Sequence, residues 1–129
     1  MTPDLTYLAL TAALSSVLWI PYIVGTIQAY GSNPDDYRVP PQRDLSPFLA
    51  RANRAHLNLT ESLPVFAALV LVAHVSGEAS ALTATAAAVF FWARVAHAVV
   101  HLGGWPYVRT LAFATGWMAL MTILWEIFT

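Results

Sequence analysis

The chain has 129 residues, 58% of them hydrophobic and only 10% charged, with a formal net charge of −1. A water-soluble domain carries roughly a quarter charged residues, so this composition, with a mean hydropathy of +0.61, excludes an ordinary soluble fold and makes the bilayer the expected solvent. The near-zero charge argues against nucleic acid as a partner, and the lack of cysteine excludes disulfides, thiolate metal sites and a cysteine nucleophile.

The first apolar stretch runs from about Leu5 to Tyr30. Its opening, MTPDLTYLAL, could pass for a secretory signal, but it carries Asp4 in place of a positive leader and its apolar run is too long. It reads as a permanent first helix, and it contains no arginine. The segment GSNPDDYRVPPQRD follows, polar and rich in Gly, Pro and Asp, and reads as a loop. The second stretch runs from about Ser46 to Val75 with a polar opening, the third from Ser80 to Leu102 and the fourth from Tyr107 to Phe128. Each approaches the ~20 residues that cross a bilayer. The connections Ser76-Gly77-Glu78 and Gly103-Gly104-Trp105-Pro106 are too short for anything but antiparallel neighbours. The expected fold is an all-α membrane protein, a single domain over residues 1–129 that forms a four-helix antiparallel bundle. Arg38, Arg43, Arg51, Arg54 and Arg109 all fall on the side of the long loop. The positive-inside rule makes that loop cytoplasmic and puts both termini outside, in a multi-pass protein of the inner (plasma) membrane. Tyr7, Tyr30, Trp105, Tyr107 and Trp125 lie near the span ends, where interfacial aromatics belong.

Polar side chains interrupt these spans in a pattern. At about 100° per residue, Arg51, Arg54, Asn58 and Glu61 share an arc of roughly 80°, and Arg94, His97 and His101 one of about 60°. Hydrocarbon does not tolerate such groups facing lipid, so they must meet each other, a partner subunit or a polar ligand. Arg51 and Arg54 could simply snorkel to headgroups. Glu61 cannot reach water so easily, lying roughly 15 Å beyond Arg51, and Pro64 displaces the carbonyl of Thr60 beside it, predicting a kink. Arg94, about 12 Å from the same end, is the expected ion-pair partner of Glu61, a pairing that is structural before it is anything else. His97 and His101 have the spacing of two metal ligands, yet no matching carboxylate accompanies them. They read as polar residues of a helix seam, and no metal is assigned. His56 points about 140° away from the arginine face, toward a subunit contact. Arg109 opens the fourth helix, where the macrodipole disfavours a cation, and Thr110 follows with a hydroxyl. Arginines gathered with Glu61 at one end of the bundle suit an anionic, peptide-like ligand, because guanidinium binds carboxylate bidentately.

The motif RAxRAHxNxxE, followed by FWARVAHAVVHLGGWPYVRTLAF and the ending LWE, resembles the MAPEG family, the membrane-associated proteins in eicosanoid and glutathione metabolism. The likeness is to a bacterial-type member of the group that includes microsomal glutathione transferase and prostaglandin E synthase. It implies a four-helix subunit assembled as a homotrimer, with glutathione as cofactor between subunits near the cytoplasmic face. Arg54, Asn58, Glu61, Arg94, His97 and Arg109 then match polar positions at or near that site, with Arg51 and His101 beside them. Arg109 matches the arginine held to stabilise the glutathione thiolate, Thr110 falls where some members carry serine, and Asp36 matches an acidic loop residue linked to catalysis. The chain departs from the family at three points. His101 stands where tyrosine is usual, Leu57 where another arginine occurs, and the first helix lacks the arginine of better-known members. The implied activity is that of a glutathione-dependent transferase or peroxidase on lipophilic substrates that enter from the bilayer. The alternative is a relative that binds a lipid or another anionic small molecule in the same pocket. A haem-binding bundle using His97 or His101 would reveal itself by colour.

Overall fold

The computed structural model describes residues 1–31 and 45–129; the loop expected between them, with Asp36, Arg38 and Arg43, lies outside the described residues. The described residues form helices without any strand: α1 (Pro3–Leu18), α2 (Ile20–Tyr30), α3 (Pro47–Ser76), α4 (Ala81–Gly103) and α5 (Pro106–Phe128). Together they supply four segments long and apolar enough to cross a membrane, with α1 and α2 as one segment. The chain is an integral, multi-pass membrane protein.

The expected first helix is broken in two. Pro21 has no N–H to offer the carbonyl of Val17, and its ring crowds that oxygen, so regular bonding stops at Trp19. The backbone there keeps right-handed helical angles (φ −73°, ψ −19°), and Trp19 alone separates the two helices. The Trp19 indole N–H donates to Ser16 O at 2.6 Å, and the Ile23 N–H to Trp19 O at 3.1 Å. Pro64 lies within α3 and leaves that helix continuous. The neighbouring Ser62 hydroxyl lies 3.1 Å from the Asn58 carbonyl and 3.2 Å from that of Leu59.

Capping explains the remaining boundaries. The Ser46 hydroxyl accepts from the Leu49 N–H ahead of Pro47 at the first helical position of α3. Ser80 and Thr83 form a reciprocal capping box at the start of α4, and Ser80 Oγ also donates to Glu126 Oε2 at 2.7 Å, tying that start to the end of α5. Gly104, at φ 80°, closes α4 in the left-handed conformation that a side chain resists.

Helix α4 is central, packing on α1, α3 and α5. Its alanines 86, 87, 93 and 98 are buried, as expected where helices approach closely in a membrane. Phe66, Val70, Phe90, Leu120 and Ile123 fill the main core, with Phe66 and Phe90 stacked at 4.1 Å between centroids. Outward-facing Leu71, Trp92, Leu111 and Met118 are exposed, an apolar exterior that suits hydrocarbon.

Candidate functional site

Three helix ends meet where α3 begins, α4 finishes and α5 begins, and a cavity of about 430 Å³ opens there. It is lined by Arg51, Arg54 and Asn58 from α3, His97 and His101 from α4, and Arg109, Thr110 and Phe113 from α5, with Ala50 at its edge. Among the described residues no carboxylate lines it. Three guanidinium charges therefore face one space without a counter-charge among the described lining residues.

Each cation is held differently. Arg51 Nε donates to the Leu102 carbonyl at 3.2 Å, satisfying one of the acceptors that the last turn of α4 leaves open. The link acts as a cap on that helix end. Arg54 and Arg109 are exposed and make no hydrogen bond to another described residue. Thr110 donates within its own helix to Pro106 O at 3.2 Å, which leaves its hydroxyl oxygen able to accept. His97 and His101 are buried with ring centroids 5.4 Å apart, and His101 Nδ1 is buried without a partner. Among the described residues no third His, Asp or Glu joins them, and arginine neighbours oppose a bound cation.

Arg94 corrects the sequence-based expectation. It is 3% exposed, but it does not pair with Glu61. Its Nη1 donates to Asn58 Oδ1 at 2.9 Å and its Nη2 to Phe113 O at 3.4 Å. The guanidinium carbon lies 5.0 Å from the Phe90 ring centroid and 5.3 Å from that of Phe113. Two π faces and two neutral oxygens accommodate the cation, and Glu61 stays exposed in the single chain. Since no ion pair with Arg94 is lost, Glu61→Gln is expected to cost less than the ~3 kcal/mol of breaking a buried pair. A loss of about 3 kcal/mol or more in a detergent melt would show that Glu61 has a charged partner after all.

Glu61 and Arg94 instead line an adjoining cavity of about 330 Å³ with Val65, Trp117, Leu120 and Met121. The two cavities share Asn58 and Phe113. The structure thus brings Arg51, Arg54, Asn58, His97, His101, Arg109 and Thr110 to one space and sets Glu61 and Arg94 beside it. Asp36 lies outside the described residues. Phe113 and Trp117 were missed, although they follow Arg109 at four-residue intervals and so share its helix face.

A sequence model of the MAPEG family matches residues 5–129, nearly the whole chain. No curated protein matches the chain.

Proposed function

The chain belongs to the MAPEG family, and from that premise we propose that it is a glutathione-dependent transferase or peroxidase acting on lipophilic electrophiles drawn from the bilayer. The observation that carries this reading is the cavity lined by Arg51, Arg54 and Arg109 with no carboxylate among its described lining residues. Glutathione, when bound, supplies a thiol whose ionised form attacks an electrophile or reduces a peroxide. The donor set suits such a peptide: guanidinium groups for its carboxylates, the Asn58 amide for hydrogen bonding, and the exposed Glu61 carboxylate next door for an ammonium group. Arg109 has no hydrogen-bond partner among the described residues, so its charge is free to favour an anion at sulfur, the effect that lowers thiol pKa values near cationic groups. The adjoining cavity, walled by Val65, Phe113, Trp117 and Leu120, offers apolar surface to a lipophilic partner.

The same reading includes a homotrimer. Positions 54, 58, 61, 65, 68 and 72 of α3 alternate in steps of four and three, the spacing of a helix–helix seam. Arg54, Glu61, Val65, Ala68 and Val72 on that stripe are all exposed in the single chain. Exposed Arg54 and Glu61 fit a neighbouring subunit far better than lipid. It also includes a cytoplasmic arginine end. The chain lacks cysteine, so single cysteines at Ser32 and Ser76 can be labelled without background. They are expected to react from the cytoplasmic and outer faces respectively, and labelling of both from one side would refute this topology.

A second reading, an anionic lipid bound by the same residues without glutathione chemistry, is favoured by the continuity of the cationic and apolar cavities. Calorimetric titration of the detergent-purified protein separates the two. Saturable glutathione binding that a long-chain fatty acid does not abolish supports the first, and fatty-acid binding without any glutathione response supports the second.

A further inference from the structure

We propose that Gly116 is a positioning residue: the space left by its missing side chain seats the Arg94 guanidinium, which holds Asn58 with its amide nitrogen presented to the cationic cavity. The proposal rests on the anion-binding reading above and extends it to a residue outside the cavity.

Gly116 sits buried in the middle of α5. Its φ is not positive, so backbone freedom does not explain a glycine there, and a glycine inside a helix is less stable than alanine. Space does explain it. A Cβ at this position would meet Arg94 Nη2 in direct overlap and would lie 3.0 Å from both Cζ and Nε. The guanidinium carbon lies 5.0 and 5.3 Å from the Phe90 and Phe113 ring centroids, so the room for the head to shift is in the adjoining cavity that Arg94 lines. Alanine at 116 therefore moves the Arg94 head.

Moving that head releases Asn58. Arginine nitrogens only donate, so the atom of Asn58 that meets Arg94 Nη1 at 2.9 Å must be the amide oxygen. The NH₂ group is then the end left over, and Asn58 lines both cavities. Arg94 thereby makes Asn58 a hydrogen-bond donor for an anionic ligand, although it is not itself among the residues that line the cationic space. Without Arg94 the amide can flip and offer its oxygen to an anion, which repels it.

The test uses full-length protein purified in detergent. Gly116→Ala is expected to raise the glutathione Kd about tenfold, as for loss of a hydrogen bond to a charged group. Asn58→Ala should do the same, and the double variant should be no weaker than Asn58→Ala alone. Gly103→Ala is the control, since its Cβ would find only ordinary contact with Trp105 at 3.8 Å, and it should bind as the parent does. Independent effects of the two variants, or parental affinity in Gly116→Ala, would overturn the proposal. Nitrogen NMR supplies a reading free of glutathione. The parent and Gly103→Ala should show one guanidinium with slowly rotating, separately resolved Nη signals, and Gly116→Ala should lose them. Their persistence in Gly116→Ala would also overturn it. Cross-relaxation between Gly116 Hα and the Arg94 side chain is required in the parent, and its absence sinks the idea even if Gly116→Ala does not fold. If the parent binds no glutathione, the functional proposal falls and the nitrogen spectra alone decide the seat.

Discussion

Arg109→Ala is expected to lower turnover of a lipophilic electrophile with glutathione by on the order of 10²-fold or more, the loss typical of removing a preorganised charge-stabilising group. Arg51 is committed to the Leu102 carbonyl, and Arg94 to Asn58 and Phe113. Arg109 lines the cavity without a hydrogen bond to another described residue, and it stands in the first turn of α5, where the helix dipole gives its charge no stabilisation. A cation kept there without structural return is the best candidate for acting on the ligand. Because the side chain is exposed and bonds no other described residue, its removal should leave the melting midpoint and the oligomer unchanged. Steady-state rates, together with the melt, check this. A fall in kcat with a largely retained KM is expected if the charge acts on the reacting sulfur. A rise in KM alone would make Arg109 a binding residue only.

Phe90→Ala should cost about 3 kcal/mol of stability. Phe90 is fully buried, stacks on Phe66 at 4.1 Å, and presents its face to the Arg94 guanidinium at 5.0 Å. In a bilayer the transfer of apolar surface from water contributes little to helix association, so packing carries the effect. A void beside Phe66 and the loss of one π face from a buried cation act together. Phe90→Leu refills most of the volume without the π face, so the difference between the two variants isolates the cation's share. Thermal unfolding in detergent reads both. Equal melting of Phe90→Ala and the parent would mean that the Phe66–Phe90–Arg94 stack is not a stabilising unit.

Much of this arrangement was legible from helical spacing. Arg51, Arg54 and Asn58 fall on one face of α3, and His97 and His101 on one face of α4, by residue count alone, because in hydrocarbon a polar arc has few permissible directions. What spacing does not give is depth and choice of partner. It placed Arg94 and Glu61 at similar depths and paired them by charge, whereas the amide of Asn58, one turn nearer to the start of α3, takes the guanidinium with less desolvation. Two aromatic rings replaced the missing counter-ion, and no one-dimensional pattern announces that Phe90 and Phe113 come together from different helices. The break at Trp19 was available from Pro21, but the unbroken apolar run around it masked the signal. Pro64 lies in an equally apolar region and leaves α3 continuous, so proline alone does not decide the matter. Gly116 carried no sequence signal at all, since its meaning depends on what α4 places against it.

The central claim is that this cationic cavity binds glutathione and holds its sulfur ionised. The most direct measurement is the ultraviolet difference spectrum of the purified protein titrated with glutathione at neutral pH, where a thiolate absorbs and a thiol does not. The account requires a saturable thiolate band that appears in the parent protein and is absent in Arg109→Ala. Glutathione titrated to millimolar concentration without such a band in the parent, in protein that remains folded and assembled, would contradict it.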